Sequence, residues 1–273
     1  MPPSDRPGGS RFPATLATAG VAPGRLDERR PAGPRVQDPA ALPRVTAGPG
    51  LDSERVRAQM VQRLRRDAGI GDERVLAAMA RVPRHRFVDP ALVAQAYEDT
   101  SLPIGWGQTI SKPSVVARMI ELLLQGEAAR AAGSLGRTLE IGTGCGYQAA
   151  VLAELATDVV SVERVAGLHE AARANLAVER PRGLRLVLGD GMRGHPPNAP
   201  YRSLVAAAAG AQLPQAWLEQ LADGGRLVAP VAGADGRQAL VVVDRQGDTW
   251  QRREEGGVIF VPLKSGIARD AVR

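Results

Sequence analysis

From Leu51 onward, apolar positions recur at helical spacing. In "SERVRAQMVQRLRRDAG", Val56, Met60, Val61 and Leu64 share one face, with Ser53 as N-cap and Gly69 as the stop. "DERVLAAMARVP" repeats the arrangement, with Asp72 ahead of Val75, Leu76 and Met79 and with Pro83 as terminator. "SKPSVVARMIELLLQ" predicts a third helix, with Pro113 in its first turn and Gly126 past its end. The period then changes to strand and helix in alternation. "RTLEIG" predicts a strand, "YQAAVLAELA" a helix, "DVVSVE" a strand, "VAGLHEAARANLAVE" a helix and "LRLVLGD" a strand. Two βα units in succession imply a parallel sheet, because the helix carries the chain back to the start of the next strand. "SLVAAAA" continues as a buried run and "QAWLEQL" as a short helix; "GGRLVAPV", "QALVVVD" and "VIFVPL" follow as strands. No helix long enough for a crossover separates the last two, so an antiparallel hairpin is expected at the sheet edge. The fold class is therefore α/β: a doubly wound, mostly parallel sheet with an antiparallel C-terminal hairpin and added N-terminal helices. No internal repeat is present.

Composition changes this picture mainly at the start of the chain. Residues 1–48 are rich in Pro, Gly, Ala and Arg without periodicity. Such a segment buries too little apolar surface to offset its ordering entropy, and a disordered tail is expected. The expected organisation is that tail, then a domain over 49–273. Within the domain, residues 49–126 form a helical, substrate-side part and residues 127–273 the sheet core.

The formal charge of the 273-residue chain is +6, which raises nucleic acid or an anionic membrane as partners. Its distribution argues against both. Residues 1–50 carry seven Arg against four acids, and the remaining bases and acids nearly balance. Lysine occurs only at Lys112 and Lys264, and the arginines are scattered rather than striped. One cysteine, Cys145, allows no internal disulfide and no zinc spacing, so a reducing, cytoplasmic setting and no metal are expected. No apolar run approaches the ~18 residues of a membrane span, and the N-terminus lacks the apolar core of a secretory signal. Prolines 2, 3, 7 and 13 would break the amphipathic helix of an organelle transit peptide.

The chemistry concentrates at strand ends. "EIGTGCGYQ" places Gly142, Gly144 and Gly146 behind the first strand of the core. In a doubly wound sheet this loop faces the ligand crevice, and glycine lets the backbone turn tightly and approach the ligand. The spacing is GxGxG, not the GxGxxG that seats a pyrophosphate on a helix N-terminus, which disfavours NAD. Glu140 precedes the loop, and Glu163 ends the second strand, about 20 residues on, where a carboxylate accepts from ribose hydroxyls. Asp190, in "GDG" at 189–191, adds a third strand-end acid on the same rim. Together they describe a pocket for an adenosine group without phosphates, which suits S-adenosylmethionine.

From about Val56 to Ile267 the sequence resembles the protein-L-isoaspartate O-methyltransferase family. The stretches that carry the resemblance are "VPRHRFVDP", "AYEDTSLPIGWGQTISKPSVVARMIELL", "LEIGTGCGYQAAVLAEL", "SVERVAGL", "GDG", "QLADGGRLVAPV" and "VIFVPL", in the family's order. "LPIGWGQTIS" is the specific one, since GxGxG serves many methyltransferases. The resemblance implies a Rossmann-like fold and methyl transfer from S-adenosylmethionine to the α-carboxylate of L-isoaspartyl residues in damaged proteins. The ester then cyclises to a succinimide, whose hydrolysis regenerates some normal aspartate. By the same resemblance Ser111 matches the residue assigned to the active site. Gln108, Thr109, Ile110, Ser111, Glu140, Gly142, Gly144, Glu163, Asp190 and Gly191 match positions around the cofactor. A monomer acting on damaged proteins is expected, without nucleic acid or membrane. Two departures stand out: Arg202 occupies a position where the family commonly has Asp, and Ala209-Gly210 replaces its usual Ala-Pro.

A carboxylate acceptor is ionised at neutral pH and needs no general base, so positioning is the chemistry expected. Other readings stay open. Ser111 could cap the helix after it, and Cys145 could be a nucleophile or a small packed residue. His85, His169 and His195 lack ligand spacing. Trp106 could be a lid aromatic or a packed one. A methyltransferase for another acceptor, or a noncatalytic binding protein using the Arg-rich tail, are the competing functions.

Overall fold

The computed structural model describes residues 53–268. The expected tail of residues 1–48 lies outside them. Ahead of the main sheet come helices α1 (Ser53–Arg66), α2 (Glu73–Arg81) and α3 (Pro113–Leu124) and a small hairpin of β1 (Leu102–Gly105) and β2 (Gln108–Ile110). Two 3₁₀ turns, Arg84–Phe87 and Pro90–Gln95, link α2 to the hairpin. The short helix α4 (Glu127–Ala132) leads into the core, which runs β3 (Arg137–Ile141), α5 (Tyr147–Ala153), β4 (Asp158–Glu163), α6 (Ala166–Glu179) and β5 (Leu184–Leu188). It continues through β6 (Tyr201–Ala206), α7 (Gln215–Glu219), β7 (Leu221–Ala232), β8 (Gln238–Gln246) and β9 (Thr249–Val258).

Local chemistry explains the helical part. Met60 and Leu64 of α1 are buried, as are Val75, Leu76 and Met79 of α2. Asp72 caps α2 by accepting from Arg74 N at 2.9 Å. The loop before α2 is tied to α3 by buried Glu121, whose Oε1 accepts from Gly71 N at 2.7 Å and from Asp72 N at 3.0 Å. Arg84 is fully buried; its Nε donates to Ala96 O at 2.7 Å and its guanidinium lies 4.9 Å from the Tyr147 ring centroid. That contact fastens the turns before the hairpin onto α5.

The main sheet has the order β5-β4-β3-β6-β7-β8-β9. The pairs from β5 to β7 are parallel, and β7-β8 and β8-β9 are antiparallel. The chain steps outward from β3 to β5, then returns to the other side of β3 with β6. This reversal opens a crevice beyond the carboxyl ends of β3 and β6, the usual ligand position in such sheets. Alternation along the strands divides the core. Leu139, Ile141, Val160 and Val162 join one apolar cluster with Trp217 of α7, whereas Val159 and Val205 join the cluster of α1, α2, α3 and α5.

The antiparallel ending differs in its residues from the expected one. β9 is the charged stretch "TWQRREEGGV", almost wholly exposed, and "VIFVPL" contributes only Val258 to it. An edge strand is paired along one side only and here has solvent around its side chains, so it carries no apolar alternation to detect. The rest of "VIFVPL" runs as a strap over the carboxyl ends of the sheet: Ala209 N donates to Val261 O and Leu263 N to Ala209 O, both at 2.8 Å. Among the described residues, no helix is long and apolar enough to cross a membrane.

Candidate functional site

The loop after β3 turns back under α5 by positive backbone φ angles: +91° at Gly142, +56° at Gly144 and +92° at Gly146. L-residues rarely adopt these angles. Gly146 also lacks room, since a Cβ there would lie 2.9 Å from Leu176 Cδ1 of α6. Glu163, ending β4, braces the loop from the neighbouring strand. Its Oε2 accepts from Gly144 N and its Oε1 from Val165 N, each at 2.9 Å. The side chain is buried, and the residue is only 5 % exposed.

A cavity of about 220 Å³ opens over this loop. Its floor is Ile141, Gly142, Gly144, Val162, Glu163 and Gly191. The β1-β2 hairpin supplies Ile104, Trp106, Gln108 and Thr109; the residues after β4 supply Arg164, Val165 and Leu168. Ala207 and Ala208, past β6, and the strap from Val261 to Lys264 close the remaining wall. The hairpin covers the loop closely. A Cβ on Gly144 would lie 3.2 Å from Ile104 Cδ1, and one on Gly167 of α6 would lie 2.2 Å from Trp106 Cζ2. The Trp106 indole therefore rests on a helix surface that only glycine leaves flat enough.

Of the residues singled out by sequence, Gln108, Thr109, Gly142, Gly144, Glu163 and Gly191 line this cavity. The other four stand off it. Ile110 is buried opposite Leu102 in the hairpin. Ser111 follows it, half-buried and outside the lining. The cap position of α3 is Lys112, not Ser111, and its side chain makes no capping bond. Asp99 serves that helix end instead, accepting from Ser114 N at 2.8 Å and from Ser114 Oγ at 2.7 Å. Asp190 lies behind Gly191, its Oδ1 taking Met192 N at 3.0 Å and its Oδ2 taking Gly266 N at 2.8 Å.

Glu140 lies beneath the loop, 0 % exposed. It sits opposite Ser161 in the β3-β4 register, and Ser161 Oγ donates to Glu140 Oε2 while sharing a further bond with Thr143 Oγ1. Burial pushes the Glu140 carboxyl up to about 8, against the opposing effects of Ser161 and Gln148. Among the described residues, its Oε1 and both polar atoms of the Gln148 amide make no hydrogen bond, although they are buried.

The remaining candidates sort by environment. Burial pushes the Cys145 thiol up to about 11, so it is protonated at neutral pH and is no nucleophile. His85 Nδ1 lies 2.7 Å from Tyr97 Oη. Among the described residues, no three His, Cys, Asp or Glu side chains gather as metal ligands. Arg202 stands near the start of β6 and packs across Gly136, which precedes β3, so it lies at the end of the sheet away from the cavity. Ala209 and Gly210 are pinned to the strap and to β7, with Ala232 N donating to Gly210 O at 2.9 Å. The lining residues that sequence reasoning missed are Ile104, Ile141, Val162, Arg164, Val165, Leu168, Ala207, Ala208 and Val261 to Lys264. A signal existed for Ala207 and Ala208, which follow a parallel strand at the same rim.

Chemically, the site offers apolar walls for a flat ring, a carboxylate with lone pairs left for hydroxyl donors, and a turn whose backbone a ligand can approach. A family model described as protein-L-isoaspartate(D-aspartate) O-methyltransferase matches residues 54–268. A Leptothrix cholodnii protein named protein-L-isoaspartate O-methyltransferase is 56% identical, the match covering 98% of each chain. A Methylibium petroleiphilum protein of the same name is 55% identical over 89% of this chain and 95% of its own. Among solved structures, a protein-L-isoaspartate O-methyltransferase superposes with a TM-score of 0.67 at 25% identity, covering 78% of this chain and 67% of the other.

Proposed function

The chain belongs to the protein-L-isoaspartate(D-aspartate) O-methyltransferase family, and from that membership we propose that it methylates the α-carboxylate of L-isoaspartyl residues in damaged proteins. S-adenosylmethionine is the methyl donor in this reading, with the β-carboxylate of D-aspartyl residues as a second acceptor to be tested. The observation that carries it is Glu163: a buried carboxylate on the cavity floor, fixed by two backbone N–H groups beside a glycine turn. An ionised carboxylate has about four lone-pair sites, so two remain for ribose hydroxyls.

The residues present fit the donor. Ile141, Val162 and Leu168 give apolar contacts for adenine, Gly142 and Gly144 present bare backbone to the cavity, and no cation stands in the loop to match a phosphate. Gln108, Thr109 and Gly191 complete the proposed holding set. When bound, S-adenosylmethionine supplies a methyl group already activated by its sulfonium.

This chain's residues then have to exclude water and align the acceptor. Ile104 and Trp106 cover the turn, and the strap closes the opposite wall. Alignment of two bound reactants supplies up to ~7–11 kcal/mol of a barrier. An acceptor carboxylate with a pKa near ~4 is already ionised, so no side chain here needs to remove a proton. The protonated state of Cys145 and the position of Glu140 under the turn agree with that requirement. Ser111, free of any capping duty at α3, is the proposed orienting hydroxyl.

In the same reading, residues 49–126 form the helical, substrate-side part, whose hairpin also lends Gln108 and Thr109 to the donor, and residues 127–273 form the sheet core. The protein acts as a cytoplasmic monomer. Support for the monomer comes from β9, whose edge carries Arg252, Arg253, Glu254 and Glu255, charges that oppose edge-to-edge pairing. The test is incubation with labelled S-adenosylmethionine and matched isoaspartyl and aspartyl peptides. Label confined to the isoaspartyl peptide is expected, and equal labelling of both overturns the function.

A further inference from the structure

Two cations border the cavity, Arg164 and Lys264. Arg164 is committed to the strap: its Nε donates to Gly266 O at 3.0 Å and its Nη2 to Ser265 O at 3.4 Å. The strap is held on both sides of Lys264. Leu263 N donates to Ala209 O at 2.8 Å, Gly266 N to Asp190 Oδ2 at 2.8 Å, and Ala268 N to Arg164 O at 2.8 Å. The Lys264 side chain, by contrast, is exposed and has no hydrogen bond or ion pair among the described residues. The one carboxylate on the floor, Glu163, is engaged by Gly144 N and Val165 N. A fixed backbone thus presents, where the cavity meets solvent, a lysine ammonium that no described side chain engages, beside an Arg164 guanidinium already occupied by backbone carbonyls.

We propose that Lys264 is a specificity-determining residue that draws in the acceptor carboxylate and favours release of the methylated product. The inference rests on the isoaspartyl reading above. An acceptor residue belongs to another polypeptide, so it can enter only from the solvent side, and Lys264 is exposed there whereas Glu163 is 5 % exposed. A lysine suits the task because its ammonium is a point charge on a flexible stem. Methylation replaces the acceptor's carboxylate by a neutral ester, so the attraction present for substrate is absent for product.

The experiment uses the full chain with Lys264→Met and Lys264→Arg. Steady-state methylation of an isoaspartyl peptide is measured at low and high salt, alongside S-adenosylmethionine affinity and melting temperature. At low salt, K264M is expected to raise KM about fivefold to tenfold, with kcat and donor affinity unchanged, as befits one screened charge. Its KM should also lose most of the wild-type salt dependence, and K264R should restore both. A methyl-ester peptide should inhibit wild type more weakly than a carboxylate peptide, and K264M should narrow that gap. Wild-type KM and salt slope in K264M overturn the proposal. So does a parallel loss of donor affinity, which would assign Lys264 to the donor's own carboxylate, or a failure of K264R to rescue. If wild type discriminates isoaspartyl from aspartyl peptide and K264M is indistinguishable from it, only the lysine's role falls. If wild type does not discriminate, the function falls and this role with it.

Discussion

Replacing Glu163 by Ala removes one carboxylate with two structural duties and one proposed ligand duty. Gly144 N and Val165 N each lose an ionised acceptor at 2.9 Å. Val165 is buried, so its N–H is left without a partner, at about 1–3 kcal/mol. Gly144 lines the cavity, where water can replace the lost acceptor. Over a domain of this size about 1 kcal/mol corresponds to ~2–4 °C, so the melting temperature should fall by roughly 2–12 °C. Loss of the ribose contact should weaken S-adenosylmethionine binding by about 1.5–3 kcal/mol, the range for a hydrogen bond to a charged group. That is roughly a 10-fold to 150-fold rise in Kd. Calorimetric titration well below the variant's transition separates the two effects. A folded variant that melts lower yet binds the donor with wild-type affinity would refute the ligand duty and leave Glu163 as a brace for the loop.

Other substitutions probe different parts of the site. The Glu140 carboxyl, raised to about 8 in the folded chain from an ordinary 4.5, keeps a proton that the unfolded chain releases between those values. Stability should therefore fall as pH rises through that window, by up to about 1.4 kcal/mol per pH unit from this group, and Glu140→Gln should remove that slope in urea unfolding at several pH values. Equal slopes in the two proteins would count against a protonated Glu140. Gly167→Ala places a Cβ against the Trp106 ring and should displace the hairpin, shifting tryptophan emission and weakening donor binding severalfold. Unchanged emission relative to a Trp106→Phe control would show that the ring does not depend on that contact. Ser111→Ala should lower kcat about tenfold or more with donor affinity and melting temperature nearly unchanged, because Ser111 caps no helix. A wild-type rate in that variant would remove Ser111 from the reaction.

Local pattern was enough for the elements that bury one face. The 3.6-residue period exposed α1, α2 and α3, and runs such as "DVVSVE" exposed the central strands, because burial on both sides leaves few polar positions to obscure them. The GxGxG spacing made the ligand turn legible, since positive φ restricts those positions to glycine whatever surrounds them. Long-range placement decided the rest. Glu140 and Glu163 read alike as strand-end acids, yet Glu140 is the penultimate residue of β3 and points under the turn, while Glu163 ends β4 and reaches the cavity. Ser161 pairs with Glu140, so Glu163 lies two residues further along the same face of the sheet; depth beneath the turn, not the face, separates the two acids, and only the assembled sheet sets that depth. Likewise "VIFVPL" has the apolar content of a strand, but the edge next to β8 is taken by the charged stretch before it. Its carbonyls and N–H groups find partners at Ala209, and its side chains become cavity wall. Apolar content in a sequence announces that a segment will be buried; which surface it covers depends on contacts between residues far apart in the chain, and those exist only once the fold has formed.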